Sequence, residues 1–321
     1  MQEVFVRREV ISPARLKELC RTSDLRGWGQ TLSHVCAILL SGALLWQFRA
    51  SYWAVPLFMV HGVLLNFLYA AQHELSHWTV FKTAWLNEWV GRLFGFCVFY
   101  PRTFDQLQHI AHHRYTQDWA RDGELLRPRY TLSSYLVWIS GITYWYTRWR
   151  RILRFSFGLV TEPYIAVARR GELVREARWH LLGYMTIVLL SVLLKTWAAV
   201  LLWFAPLVVM KFMHQLQNTI EHLGLPHHGD VLNNTRSTRT NALMRWLAWQ
   251  MQYHTAHHAF PGVPFHRLRA LHTHLFLERG TTPPTMTYLA FQWAVLRAFS
   301  HGRGEADYPD DSIWIADPPN A

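Results

Sequence analysis

SYWAVPLFMVHGVLLNFLYAAQ, residues Ser51–Gln72, runs through 22 positions without an Asp, Glu, Lys or Arg, and HELSH, residues His73–His77, follows it without a break. A spanning helix needs about 20 apolar residues, so this stretch reads as a membrane helix that delivers imidazoles where it exits. An earlier uncharged run, Gly27–Phe48, pairs with it across Arg49. Trp179–Leu194 and Thr196–Met210 form a second pair around Lys195. The first of these is short, and the second is long enough only if Lys211 snorkels and the helix continues through Ile220. Ala84–Tyr100 is apolar too, but Glu88 and Arg92 make it interfacial. The expected fold is all-α integral membrane: four transmembrane helices in two hairpins, with a cytoplasmic helical cap that carries the histidine clusters.

The 321 residues then divide into an N-terminal cytoplasmic segment (1–26), a first hairpin (27–72), a cytoplasmic and interfacial segment (73–178), a second hairpin (179–222) and a cytoplasmic C-terminal segment (223–321), all one domain. Charged residues make up 17%, below the ~25% of soluble chains, and 51% apolar residues exclude a disordered chain. Three cysteines without a CxxC pair exclude a disulfide framework and a thiolate metal site. Charged residues through position 26 argue against a signal peptide. Ser12-Pro13 ahead of Leu16, Leu19 and Cys20 predicts a capped amphipathic helix on the membrane surface. Of 32 Lys and Arg, six precede the first span, fifteen lie between His73 and Arg178, and nine lie from Lys211 onward. The positive-inside rule places both termini and the central segment in the cytoplasm, with a bacterial inner membrane as the expected setting. The net charge of +11 thus belongs to a membrane-facing or partner-facing surface, not to a nucleic-acid groove. Pro226–Asn241 reads as a linker, and Tyr308–Ala321 as a loosely ordered tail.

Nineteen histidines are the other anomaly. Beside His73 and His77 stand His109-Ile110-Ala111-His112-His113, Asn218 with His222, and His254-Thr255-Ala256-His257-His258. Offsets of three and four return to one helix face, so each cluster is expected to aim its imidazoles at one point. Imidazole suits iron, zinc, copper and nickel. Nine histidines exceed one ion's needs and fit two metals with four or five nitrogens each, leaving positions open for a small oxidant or water. Redox-active iron with open positions means oxygen chemistry.

The HxxxH, HxxHH and HxxHH boxes, together with His257-His258-Ala259-Phe260-Pro261-Gly262-Val263-Pro264, resemble the membrane fatty acid desaturase family over about residues 30 to 275. The resemblance implies that His73, His77, His109, His112, His113, His222, His254, His257 and His258 ligate two iron ions, with Asn218 acting through water. It implies O2 as co-substrate, two electrons, and removal of hydrogen from a methylene of a lipid or fatty acyl chain. A separate electron donor with its reductase is expected, of ferredoxin, rubredoxin or cytochrome b5 type. The same core supports hydroxylation or oxidative decarboxylation to a terminal alkene.

Rival readings stay open at this stage. His73-Glu74-Leu75-Ser76-His77 is also HExxH, the signature of a zinc metalloprotease, with His222 as third ligand. A histidine-rich transporter would place its ligands near the bilayer midplane, where only His34 and His61 lie. Under the desaturase resemblance Glu74 is a residue that orients a ligand histidine. His214 is a candidate for the same task or for packing. Asp118, Asp122 and Glu124 either orient histidines or balance Arg114 and Arg121. His61 reads as an interhelical hydrogen bond ahead of a substrate contact, His227 and His228 as solvated, and Arg236, Arg239 and Asn241 as a solvated loop ahead of a site for a headgroup or carboxylate.

Overall fold

The computed structural model describes residues 10–316 and is mostly helical. Ser12 accepts a hydrogen bond from the Arg15 N–H (3.2 Å) and starts α1 (Pro13–Leu19), with proline at the first turn where its missing donor costs nothing. Leu19 is buried with Leu268 and Leu271, so α1 docks on the C-terminal part of the chain. Next come α2 (Asp24–Gln47), α3 (Ala54–Asn66), α4 (Leu68–Ser76), α5 (Ala84–Cys97), α6 (Arg102–Tyr115), α7 (Leu132–Ile139), α8 (Ile142–Ser156) and α9 (Arg170–Leu193). Then follow α10 (Ala205–Val209), α11 (Lys211–Asn218), α12 (Ala242–Leu247), α13 (His254–Ala259), α14 (Leu268–Leu275) and α15 (Tyr288–Ser300). The strands among the described residues are a two-residue parallel pair, Ser237–Thr238 on Thr285–Met286.

Among the described residues, three helices are long and apolar enough to cross a membrane: Asp24–Gln47, Ala54–Ser76 and Val200–Glu221. The last begins as a π-helical turn, Val200–Phe204, and runs through α10 and α11. The expected fourth, Trp179–Leu194, is only the apolar end of α9, whose opening turns carry Arg170, Glu172, Arg175, Glu176 and Arg178. Three polar side chains inside the spans are paired, as a low-dielectric setting favours. His61 contacts Ser41 Oγ (2.8 Å) and the Leu202 carbonyl (2.7 Å), the interhelical bond anticipated for it. His34 sits between the Leu64 carbonyl (3.0 Å) and Trp249 Nε1 (3.1 Å). Asn66 donates to the carbonyls of Gly62 and Leu207.

Four expectations are corrected. Lys211 does not snorkel. It is buried, with Nζ 3.0 Å from His214 Nδ1 and 3.6 Å over the Tyr144 ring, because the helix carries it into the protein interior. Arg236 is no solvated loop residue, and Pro226–Asn241 is no linker. Arg236 is buried, and it donates to the carbonyls of Ile220 (2.5 Å), Leu223 (2.9 Å) and Ile315 (2.7 Å). The Ile220 carbonyl belongs to the end of Val200–Glu221, where a helix leaves acceptors unfilled, and Leu223 follows just beyond it. The tail is docked through residue 316: Ile315 is buried against Gly224, and Trp314 stacks on Tyr308 at 4.3 Å. Residues 317–321 of that predicted tail, like 1–9 of the N-terminal segment, lie outside the described residues.

Helices α3 and α10 meet at Gly62, where an added Cβ would stand 2.5 Å from both Pro206 O and Met210 Cγ. Gly62→Leu is expected to lower stability by about 1–3 kcal/mol through overpacking. Gly29→Leu, at a position with nothing within 4 Å, should leave the thermal unfolding midpoint in detergent unchanged.

Candidate metal centre

The histidine boxes lie on helices held together by buried polar ties. The carboxylate of Glu176, on α9, accepts from the N–H groups of Arg102 (3.1 Å) and Thr103 (2.8 Å) and so caps α6. Arg102 reaches Glu88 on α5 (3.0 Å) and the Leu75 carbonyl of α4 (3.3 Å). Gln106 donates to the Ser76 carbonyl, and Ser76 donates to Asp105. These bonds fix the end of α4, with His73 and His77, against α6, with His109, His112 and His113. Opposite them, Gln117 donates to the His222 carbonyl (2.7 Å), while Ser237 and Thr235 brace Thr255 of α13.

Nine histidines converge in two groups. His73, His77, His109, His113 and His257 form one; His112, His222, His254 and His258 form the other. Within each group the donor nitrogens lie within 4.8 Å of one another. The groups adjoin, since the His113 and His258 rings stack at 4.2 Å. The boxes do not each aim at a single point, as the offsets suggested. Four residues advance a helix by about 400°, leaving i and i+4 about 40° apart, whereas i+3 falls about 100° from i+4. The pairs His73/His77, His109/His113 and His254/His258 accordingly stay together, and His112 and His257 cross to the neighbouring group.

The nitrogen positions fit metal ions. Nε2 of His109 lies 2.9 Å from Nε2 of both His77 and His113, and His113 Nε2 lies 3.1 Å from that of His257. In the second group His222 Nε2 is 2.8 Å from His254 Nε2 and 3.2 Å from His112 Nε2. Imidazole nitrogens about 2.1 Å from a first-row metal stand about 3 Å apart when set at right angles. Burial, and then the neighbouring imidazoles, depress the proton affinity of His77, His109, His113, His222, His254, His257 and His258 well below the usual range. They are neutral at pH 7, the state that ligates metal. Burial also opposes a proton on His112, but Asp122 and Glu124 outweigh it and raise its pKa to about 9. A bound cation would answer the same carboxylates.

Carboxylates face the outer ring nitrogens. Asp122 lies 2.9 Å from His112 Nδ1 and Glu124 lies 3.0 Å from His109 Nδ1, while Asp118 pairs with Arg121 instead. Glu74 is fully buried, with Oε1 3.4 Å from His73 Nδ1 and 3.6 Å from His257 Nδ1. Glu221, which the sequence reading passed over, stands 3.8 Å from His254 Nδ1 and accepts from Asn218 (3.2 Å). Its signal was present: a carboxylate at the end of an apolar run asks for a partner. His214 stays apart from both groups, against Tyr69 (4.8 Å), Phe67 (5.9 Å) and Lys211. His227 is less solvated than expected, its ring 4.4 Å from Trp119 and its Nδ1 3.3 Å from the Gln117 carbonyl; His228 is exposed.

The model of the fatty acid desaturase family matches residues 50–289. Over 299 residues the chain is 22% identical to an sn-1 oleoyl-lipid 12-desaturase of Picosynechococcus sp., covering 87% of this chain and 84% of that protein. A second protein of that description, from Arthrospira platensis, is 21% identical over 235 residues, 65% of this chain and 64% of its own length.

Asp122→Asn is expected to weaken metal loading of the four-histidine group by about 10–100-fold, read by titrating the metal-depleted protein with Fe(II). Asp118→Asn, whose carboxylate serves Arg121, should titrate like the parent chain.

Proposed function

This chain belongs to the fatty acid desaturase family, and from that premise we propose that it is an O2-dependent oxidase of fatty acyl chains that inserts a carbon–carbon double bond. As a member of that family it is an oxidoreductase of lipid metabolism. The observation that carries the reading is the pair of adjoining histidine groups, five and four strong. We assign the nine imidazoles as ligands of two iron ions, with Asn218 acting through water. Iron held there supplies the oxidising power, drawn from O2 and two electrons, that side-chain acid–base chemistry lacks against an unactivated C–H bond. The overall balance is CH2–CH2 plus O2, two electrons and two protons, giving CH=CH and two waters.

The chain's own residues do the rest. Asp122, Glu124 and Glu74 hold the Nδ1 sides of His112, His109, His73 and His257 and keep Nε2 turned inward. A cavity of about 750 Å3 is lined by His112 and His222 and offers room for the acyl chain beside the four-histidine group. The position of Glu74 also weighs against the zinc metalloprotease reading. A general base must stand beside the metal-bound water, and Glu74 lies on the opposite side of the rings, fully buried. Ligands gathered at span ends likewise weigh against a midplane transport site.

The membrane arrangement belongs to the same proposal. The apolar half of α9 pairs with Val200–Glu221 across the turn at Lys195, giving four spans in two hairpins. Basic residues outside the turns set the site and both termini on the cytoplasmic side of a cell membrane. Electrons then come from a separate ferredoxin, rubredoxin or cytochrome b5-type donor, for which the basic face is complementary.

Coexpression with a reductase–ferredoxin system, followed by mass spectrometry of lipid extracts, should reveal products two mass units lighter than their precursors. Products sixteen units heavier would mean hydroxylation, and shortened hydrocarbons decarboxylation. His112→Ala should abolish product while leaving membrane insertion intact; undiminished turnover in that variant would falsify the site assignment.

A further inference from the structure

The cavity beside the four-histidine group has a cationic wall. Arg148 and Arg151, on α8, line it together with His112 and His222. The Arg148 guanidinium lies 3.3 Å over the Tyr100 ring and 4.6 Å from that of Tyr144, and among the described residues no carboxylate closes on it within ion-pair distance. Its Nε is enclosed without a hydrogen-bond partner, as is Nη1 of Arg151. Arg151 rests over Phe104 at 4.0 Å; its ion-pair partner Glu162 is 4.0 Å away and is shared with Arg154 at 3.6 Å. Two guanidiniums thus share less than one carboxylate in a wall of aromatic rings, where uncompensated charge is costly. A ligand that brings one negative charge would remove that cost.

The acidic residues of the same cavity are already committed. Asp122 serves His112, Glu124 serves His109, and Glu162 is shared between Arg154 and Arg151. Negative charge therefore faces the histidines and positive charge faces α8, a polarity that draws an anionic head toward Arg148 and Arg151 and lays its chain past His112 and His222. The volume, about 750 Å3, lies in the ~300–1,000 Å3 range of sites holding one small molecule, which suits a single acyl chain. An esterified acyl group carries no charge at its carbonyl to balance Arg148.

We propose that this cavity binds a single-chain fatty acid by its free carboxylate, held by Arg148 and Arg151. The proposal rests on the oxidase reading and names the form of its substrate. Guanidinium suits the task, because its donors match a carboxylate in bidentate geometry.

The test is displacement of a fluorescent fatty acid from the full-length protein, at fixed detergent and pH 8, by palmitate, methyl palmitate or 1-palmitoyl lysophosphatidylcholine. Palmitate should bind about tenfold or more tightly than its methyl ester, the scale of one charge-assisted contact. Arg148→Gln should bring that ratio close to one by weakening the acid alone, and Arg148→Lys should retain part of it. Equal binding of acid and ester by the unaltered chain would overturn the proposal, as would tighter binding of the lysophospholipid. An acid preference that survives Arg148→Gln combined with Arg151→Gln would overturn the assignment to these residues. The comparison on the unaltered chain needs no variant to fold. Binding is read without turnover, so its failure leaves the oxidase reading standing; conversely, a chain that binds the acid but never oxidises it would fail that reading alone.

Discussion

Nine imidazoles packed with donor nitrogens about 3 Å apart cannot all be satisfied by one another. A neutral ring offers one donor and one acceptor, so an Nε2 that meets two other Nε2 atoms, as in His109 or His222, has a single N–H or a single lone pair and cannot make a full hydrogen bond to both. Such crowding in a buried site is unfavourable unless cations sit among the nitrogens. Much of the surrounding structure serves to hold this arrangement: the Glu176 cap on α6, the Arg102 tie across α4, α5 and α6, and the Arg236 clamp on the end of the helix that delivers His222. On the proposed function, the fold is a frame that sets these nitrogens at metal-ligand spacing.

Helix phase explains why the boxes have the spacing they do. A single helix with HxxHH can serve two adjoining ions because its i and i+4 members share one direction and its i+3 member takes another. In α6 this gives His109 and His113 to the first group and His112 to the second; in α13 it gives His254 and His258 to the second and His257 to the first. The two helices exchange histidines reciprocally, which keeps the groups in ring contact. HxxxH lacks the i+3 member, and His73 and His77 accordingly serve a single group.

The histidines were legible in the sequence because short-range spacing encodes them, and two of the three spans are close to the uncharged runs that suggested them. The orienting roles of Asp122 and Glu124 were legible as alternatives, since both follow a box closely. What escaped was long-range. Nothing local to Arg236 announces that three carbonyls from two distant segments await it, and a polar Gly- and Asn-rich neighbourhood disguises a buried clamp as a linker. Lys211 looked bound for the interface because its burial depends on Tyr144 and His214, 67 positions before it and three after. Trp179–Leu194 was legible as an apolar run but not as the second part of a longer helix, because apolar runs are easier to see than helices that begin among charges; α9 starts nine residues earlier. Glu176 reaches α6 from that charged beginning, so the feature that blurs α9 as a span positions the second box.

The central claim is that four separated stretches of sequence assemble a two-iron centre. It is tested most directly by iron-edge X-ray absorption on the purified, iron-loaded chain, combined with iron content per protein. The account predicts two irons per chain, each in a nitrogen-rich shell at about 2.1 Å with no sulfur donors. A single iron at saturation, or a sulfur-containing shell, would contradict it.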